Sequence, residues 1–272
     1  MLQTFFTREG IEHFAVLSPE DVTVWDRAKY ERMEGEIGKV KSVVVFLIPY
    51  GTGQKTTNLS VYAQVRDYHL YLRELSTRFD AYLRERGYKF SFRGFTDSSP
   101  IAEREAALKA GLGVLGKNGL VLHPRYGSFF FIGEFFMTKE FPTSPICETK
   151  YCPDCGACVK ACPTGAVTDP QRTKCLSLLS QKKGRSAEEE ALVAEADCKW
   201  GCDICQNVCP LNRKAEKTPI PFFYEDLVER LDFDVIEAPK EEFQKRAFSW
   251  RGRELLRKNL GNQMDKNKTD FS

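Results

Sequence analysis

Eight of the ten cysteines fall into two runs, and each run ends in a Cys-Pro pair. The first run, residues 152–163, has the spacing C-x2-C-x2-C-x3-C-P, which is typical of bacterial iron–sulfur proteins. The second run occupies residues 198–210. In such runs three cysteines ligate one cubane cluster and the fourth typically ligates the other. The two runs therefore predict two [4Fe–4S] clusters with crossed ligands.

Disulfides and zinc are the alternatives for so many cysteines. Disulfides need an oxidising compartment, and the first residues show no signal peptide, so we expect a cytoplasmic protein. Zinc binds paired C-x2-C motifs separated by a longer gap, which does not account for these two runs. Generic cluster spacing gives cluster one Cys152, Cys155, Cys158 and Cys209. It gives cluster two Cys162, Cys202, Cys205 and either Cys175 or Cys198.

Asp97 is the candidate acid, because it lies between a predicted strand at 88–96 and a predicted helix from about Pro100 to Ala110. In α/β sheets, ligands bind outside the carboxyl ends of strands, where an acid can act as a proton donor. The alternative is a helix-capping aspartate. Glu103 is expected to complement the helix dipole.

A glycine-rich segment, residues 110–119, follows this helix. A dinucleotide-binding loop needs a strand before it and a helix after it, and here the order differs. Its glycines allow the backbone to approach another group closely, and two polar residues could bind a phosphate or amide. The alternative is a helix-ending turn. The candidate binding residues are Gly111, Gly113, Gly116, Lys117 and Asn118.

The elements that must position these residues alternate between strands and helices, which predicts an α/β domain over residues 1–141. Apolar runs predict buried strands at 41–49 and 128–138, and helical spacing predicts a helix at 60–87. A two-cluster module is predicted at 142–212, and a C-terminal helical extension at 213–272.

Composition excludes a membrane-spanning chain, because no apolar run reaches the ~18 residues that a bilayer requires. The net charge is +2, so overall charge does not favour nucleic acid. The segment from Lys245 to Lys258 is the local exception, with six basic residues against the single acid Glu254. It predicts either a helix that contacts phosphates or a solvated helix face.

Further motifs occur in a fixed order along the chain. They are Arg66-Asp-Tyr-His69, Asp97-Ser-Ser-Pro-Ile-Ala-Glu103, Ala110-Gly-Leu-Gly-x-x-Gly-Lys-Asn118, Gly127-Ser128, Phe131-Ile-Gly-Glu134, the first cysteine run continued to Ala166, and Gly201-Cys-Asp-x-Cys-Gln-x-Val-Cys-Pro-x-Asn212. Together they resemble the epoxyqueuosine reductase family over roughly residues 35–260.

The resemblance implies an α/β (α+β) nitroreductase-like cobalamin-binding core with a fused ferredoxin-like two-cluster module. It implies reduction of epoxyqueuosine to queuosine at the wobble position of tRNA, with electrons passing from the clusters to cobalamin. Asp97 occupies the family's acid position, and the segment from Gly111 to Asn118 surrounds the corrin. No Asp-x-His-x-x-Gly motif supplies an axial histidine, so we expect base-off cobalamin. Cys175 matches a lone family cysteine and is favoured over Cys198.

The implied partners are a tRNA anticodon stem-loop and an external electron donor, flavodoxin or ferredoxin-like, acting on a monomer. Long family members continue into helical repeats that help hold the stem-loop, and this chain is expected to be a short form without them. The alternative is a corrinoid iron–sulfur reductase that acts on a small-molecule epoxide or halide. A third possibility is a ferredoxin-like electron carrier.

Overall fold

The computed structural model describes residues 1–261 and divides into two compact units, each built from separated parts of the chain. Unit 1 contains residues 1–52, 68–155 and 211–222, and unit 2 contains residues 53–67, 156–210 and the chain from Phe223 onward. The contiguous segments expected at 1–141, 142–212 and 213–272 do not coincide with these units, because packing joins parts that are distant in sequence. Residues 262–272 of the third segment lie outside the described residues.

The strands and helices of the described chain are short, apart from one long helix. The strands are β1 (Phe14–Leu17), β2 (Ser42–Pro49), β3 (Phe92–Phe95), β4 (Val114–Leu115), β5 (Val121–Leu122) and β6 (Phe130–Met137). The helices are α1 (Leu2–Arg8), α2 (Arg27–Ile37), α3 (Val61–Gln64), α4 (Tyr68–Glu85), α5 (Glu103–Lys109), α6 (Ala157–Ala161), α7 (Leu176–Gln181), α8 (Ala187–Glu195), α9 (Ile204–Asn207), α10 (Phe233–Glu237), α11 (Lys240–Phe243) and α12 (Arg253–Leu260).

Unit 1 is built on a four-stranded sheet with the order β1-β2-β6-β3, and every neighbouring pair is antiparallel. The predicted strands at 41–49 and 128–138 are confirmed as β2 and β6. All eight residues of β2 are buried, as its continuous apolar run predicts. The alternation of strands and helices therefore belongs to an α+β domain, since every hydrogen-bonded strand pair of the sheet is antiparallel.

Apolar side chains cover both faces of this sheet. On one face Phe135 packs against Phe46 and Phe79 at ring-centroid distances of 5.1 Å, and α1 adds Phe6 at 5.9 Å. The other face carries Phe136 with residues of α2 and α5 in a separate apolar cluster. Alternate residues of β6 therefore enter two cores.

The helix predicted at 60–87 is two helices, α3 in unit 2 and α4 in unit 1. The break occurs at Val65, where the backbone is extended (φ −90°, ψ 170°). From Tyr68 onward the predicted apolar spacing holds, and Leu72, Leu75 and Phe79 are buried. The break makes Tyr68 the first residue of α4.

Unit 2 combines the second cysteine run and the first run from Gly156 onward with an apolar core around Trp200 and Phe248. Helices α6 and α9, one from each cysteine run, pack against each other. The guanidinium of Arg185 donates to Asn259 Oδ1 at 2.7 Å, and Asn259 donates to the carbonyls of Ser180 and Lys199. This buried network joins α7, α12 and the start of the second run. No helix in residues 1–261 combines the length and apolarity needed to cross a membrane.

Candidate functional site

Asp97 lies in a tight turn of unit 1 directly after β3. Its φ is +59°, a left-handed conformation that aspartate tolerates better than most residues. The turn is fixed by Thr96, whose hydroxyl donates to the Ile132 carbonyl at 2.8 Å, and by Ser98 N–H, which donates to the Thr96 carbonyl at 2.7 Å. The Asp97 side chain is exposed at the tip. The turn therefore presents a carboxyl group to solvent from a rigid strand end.

Tyr68 orients this carboxyl group. Its hydroxyl donates to Asp97 Oδ2 at 2.8 Å, and its ring stacks on Phe131 of β6 at 3.9 Å between centroids. The ring is 7% exposed, so its position is set by packing. Helix α5 begins only at Glu103, and no side chain caps it. The helix-cap interpretation of Asp97 is therefore excluded, and the expected start near Pro100 is three residues early.

Glu103 lies beneath the Asp97 turn, where its carboxylate accepts the main-chain N–H groups of Ser99 and Asp97. Burial raises the pKa of Glu103 to about 7, the charge of Asp97 adds to this, and the two hydrogen bonds and His69 oppose it. The sequence predicts only a helix-dipole role for this residue. The structure instead places it in contact with the backbone of the candidate acid.

Glu134 is a third carboxyl in the same region and lies at the centre of β6, opposite Val45 and Phe95. It is 0% exposed, and neither carboxyl oxygen meets a hydrogen-bond partner among the described residues. Burial raises its pKa well above the usual range, and the Glu103 charge adds to this, although the Ser99 hydroxyl lies nearby and opposes the shift. An ionised carboxylate without a partner is costly in such a position, so burial favours the protonated form of Glu134.

The three histidines have two different settings, all in unit 1. His13 and His123 pack on each other with ring centroids 4.1 Å apart, and burial lowers the pKa of both, to about 4 for His123. These two side chains pack on each other and on Tyr126. His69 instead lies 4.3 Å from the Tyr68 ring and within electrostatic range of Glu103. Sequence reasoning missed its place at the candidate site.

The glycine-rich segment forms the β4–β5 hairpin of unit 1. A Cβ at Gly113 would lie 2.7 Å from the Leu122 carbonyl oxygen, and one at Gly116 would lie 2.4 Å from Asn118 Oδ1. Gly111 has φ +70° and faces the Cys147 thiol. The close approach that Gly113 and Gly116 permit is therefore to their own hairpin, and the one at Gly111 is to Cys147. A role of this segment around a corrin remains a prediction.

Lys117 connects this hairpin to the first cysteine run. Its N–H donates to Cys152 Sγ at 3.4 Å, and its ammonium group pairs with Asp154 at 2.7 Å. The Cys152 N–H in turn donates to the Leu115 carbonyl at 3.0 Å. Hydrogen bonds to a ligating sulfur stabilise its thiolate and tune cluster potential. The Lys117 N–H therefore donates to the sulfur of a cysteine that the spacing assigns to a cluster.

In unit 2 several thiols of the two runs lie close together. Burial raises the pKa of Cys205 to about 12, and the neighbouring thiols Cys202, Cys175 and Cys158 add to the effect. The Cys198 and Cys202 side chains are hydrogen-bonded to each other. None of the ten cysteines, all of which lie within residues 1–261, is in a disulfide. This donor set suits thiolate-ligated clusters, while both candidates for the last ligand of cluster two lie near the second run.

Asp203 fixes the backbone of the second run. It is 1% exposed and accepts four hydrogen bonds: from Val61 N–H at 2.7 Å, Gln206 at 2.7 Å, Thr56 at 3.0 Å and the Ser60 hydroxyl. Burial raises the pKa of Asp203, and these four donors oppose the shift. The Gly-Cys-Asp motif thus includes a structural anchor between two cysteines.

The basic stretch from Lys245 to Lys258 is largely engaged inside unit 2. Arg253 donates to the Ile236 and Ala238 carbonyls at the end of α10, and Arg257 forms a bidentate pair with Glu237 at 2.6 and 2.7 Å. The remaining contacts are Lys245 with Asp226 and Glu242, Arg246 with the Asp226 carbonyl, Arg251 with the Trp250 ring, and Lys258 with Glu190. The charges that predicted a phosphate-contacting face have internal partners.

Two family models match this chain. Residues 151–212 match a 4Fe-4S double cluster binding domain, and residues 32–98 match the DUF1730 domain of epoxyqueuosine reductase QueG. A curated epoxyqueuosine reductase of Shewanella oneidensis is 32% identical over 247 residues, which are 85% of this chain and 60% of that protein. The solved epoxyqueuosine reductase of Streptococcus thermophilus has a TM-score of 0.73 at 25% identity, covering 95% of this chain and 78% of that chain.

This chain belongs to the epoxyqueuosine reductase family. The double-cluster match confirms the prediction of two [4Fe–4S] clusters. The chain spans 43% to 60% of the length of the curated epoxyqueuosine reductases that it matches. A further solved epoxyqueuosine reductase is in complex with an epoxyqueuosine-modified stem loop of tRNA-Tyr. It shares the fold, with a TM-score of 0.75 and 23% identity over 95% of this chain and 78% of that chain.

Proposed function

We propose that this protein reduces epoxyqueuosine to queuosine in tRNA. The observation that carries the proposal is an exposed carboxyl group, Asp97, fixed by a buried tyrosine in a chain that also contains a double-cluster domain. An iron–sulfur carrier alone needs no oriented acid at the end of a strand. The family relationship supplies the substrate, because the related proteins are epoxyqueuosine reductases and one of them was solved with the modified stem loop.

Electrons enter through the clusters. We assign their ligands from the cysteine spacing, except Cys175, which the family resemblance favours over Cys198. Cluster one is held by Cys152, Cys155, Cys158 and Cys209, and cluster two by Cys162, Cys175, Cys202 and Cys205. An external flavodoxin or ferredoxin-like protein reduces them. Cobalamin, when bound, supplies low-potential two-electron chemistry toward the epoxide carbon. The family resemblance implies that the segment from Gly111 to Asn118 would hold it.

Residues of unit 1 hold and orient the proton that the departing oxygen receives. Asp97 holds the proton that the epoxide oxygen receives as its bond to carbon breaks. Tyr68 fixes the plane of the carboxyl group through Oδ2, and the stacked Phe131 ring keeps Tyr68 in place. Because the turn at Asp97 is already formed, little reorganisation is needed when the substrate arrives.

The Asp97→Asn variant tests the role of the acid. The amide keeps the size of the side chain and can still accept from Tyr68, but it cannot deliver a proton. We expect a loss of roughly 10²–10⁴-fold in the single-turnover rate on an epoxyqueuosine stem-loop, with unchanged iron content. Asp80→Asn, an exposed aspartate of α4, is the matched control and should keep full activity. Turnover by Asp97→Asn within about threefold of wild type would place the acid elsewhere.

A further inference from the structure

The proposed reaction consumes more protons than Asp97 can hold. Conversion of an epoxide to an alkene breaks two carbon–oxygen bonds, takes up two electrons and two protons, and releases water. The external donor supplies both electrons through the clusters. One carboxylic acid supplies one proton, so a second proton must reach the departing oxygen. The following inference rests on the proposed function, because it concerns the source of that proton.

We call Glu134, Glu103 and Asp97 a line of carboxyl groups, because Glu103 is within electrostatic range of both Glu134 in the core of unit 1 and Asp97 in the turn. Glu134 is fully buried, Glu103 is partly buried, and Asp97 is exposed. Three carboxyl oxygens in this line, Glu103 Oε1 and both oxygens of Glu134, are buried without a hydrogen-bond partner among residues 1–261. Buried polar atoms are rarely left in this state. A proton on Glu134 gives it an O–H donor, and a Glu103 carboxylate would be a suitable acceptor.

Glu103 is the member of the line that is joined to the acid. It accepts the N–H groups of Asp97 and Ser99, so its protonation state acts directly on the turn. The ionisable groups that face it are Asp97 after β3, His69 on α4 and Glu134 on β6. Lys29 of α2 contacts the turn through the Ser98 carbonyl. With a pKa of about 7, Glu103 is close to half protonated at neutral pH.

We infer that Glu103 is the positioning residue that returns a proton to Asp97 during turnover, with neutral Glu134 beneath it. Asp97 gives its proton to the epoxide oxygen as the first carbon–oxygen bond breaks. Glu103 then protonates the Asp97 carboxylate, and Asp97 gives this second proton to the departing hydroxide, which leaves as water. The Glu103 carboxylate accepts the Glu134 O–H until solvent restores its proton. The protons balance, and Glu103 acts on the substrate only through Asp97.

The first test titrates the carboxyl groups without substrate. Infrared spectra of cluster-loaded protein with 13C-labelled glutamate should show one glutamic acid that titrates with a midpoint of about 7 and one that stays protonated well above it. Glu103→Gln should remove the first signal, and Glu134→Gln the second. Glu105→Gln, an exposed neighbour on α5 paired with Lys109, should remove neither. Absence of any glutamate titration near neutral pH in the wild type would overturn the inference without any variant.

The second test follows the pH profile of single turnover on an epoxyqueuosine stem-loop. The wild-type rate should fall as pH rises through about 7, because Glu103 then loses the proton it supplies. Glu103→Gln should be slower by roughly 10²-fold and lack this limb, and Glu103→Asp should restore part of the rate and the limb. A wild-type profile retained by Glu103→Gln would overturn the inference and leave the proposed function standing. No turnover by the wild type would overturn the proposed function, and the proton return with it.

Discussion

Replacing Glu103 with glutamine should change how the stability of the protein depends on pH. The carboxyl has an ordinary pKa of 4.5 and a folded-state pKa of about 7, mainly because of burial. The folded state therefore binds more protons than the unfolded state between these values, so the free energy of unfolding falls as pH rises. A shift of about 2.5 units at 1.36 kcal/mol per unit corresponds to at most about 3.4 kcal/mol of stability lost by pH 8.

The assay compares urea unfolding of wild type and Glu103→Gln at pH 5, 6, 7 and 8 under anaerobic conditions, with the clusters in place. At acid pH the variant should lack the stability that protonated Glu103 gives the wild type. At pH 8 it should be more stable relative to the wild type, because a neutral amide carries no charge into the core. Glu105→Gln is again the control. Hydrogen bonds to Lys109 and Thr23 lower the Glu105 pKa, so the stability from this carboxylate is lost only at pH values below its ordinary pKa. Glu105→Gln should therefore leave the shape of the pH profile between pH 5 and 8 almost unchanged. Parallel pH profiles for wild type and Glu103→Gln would refute the burial argument.

Three further predictions concern unit 2. Gly201→Ala should lower the urea midpoint more than Gly184→Ala. Both glycines have positive φ, but only at Gly201 would an added Cβ meet another side chain, Ser60 at 2.5 Å. Equal losses in the two variants would mean that backbone strain alone matters. Arg253→Ala should cost about 1–3 kcal/mol by leaving two carbonyls of the α10 end unpaired, and Arg257→Ala should cost less, because its pair with Glu237 is exposed to solvent. The reverse order in urea unfolding would contradict the assigned contacts. Iron analysis should give about eight atoms per chain for wild type and Cys198→Ser, and about four for Cys175→Ser; loss of iron in Cys198→Ser alone would exchange the two assignments.

Much of the sheet was predictable because its central strands are continuous apolar runs. β2 and β6 lie where those runs lie, and the antiparallel pairing adds the short strand β1, which carries no strong sequence signal. The break between α3 and α4 was missed because the apolar spacing continues across Val65 to Asp67. The extended backbone there is set by tertiary pairing, such as the Asp67 N–H bond to the Lys245 carbonyl.

Only part of the candidate site could be predicted, namely the acidic residue that follows a predicted strand. Asp97 was found in this way, but Tyr68 and Glu103 reach it from α4 and α5 through packing that the sequence does not express. Glu134 did carry a signal, since it is an ionisable residue in the middle of an apolar strand. The internal pairing of the basic stretch could not be predicted, because its partners Glu190, Asp226 and Glu237 lie outside it in the sequence.

The central claim is tested most directly by the fate of the modified base. Anaerobically reconstituted protein, supplied with cobalamin and a low-potential reductant, should convert an epoxyqueuosine-containing anticodon stem-loop to the queuosine form. Nucleoside mass spectrometry would detect this as the loss of one oxygen atom. Conversion in the wild type and its absence in Asp97→Asn is the result that this account predicts. An unchanged stem-loop, with the clusters fully loaded and a small-molecule epoxide or halide reduced instead, would contradict it.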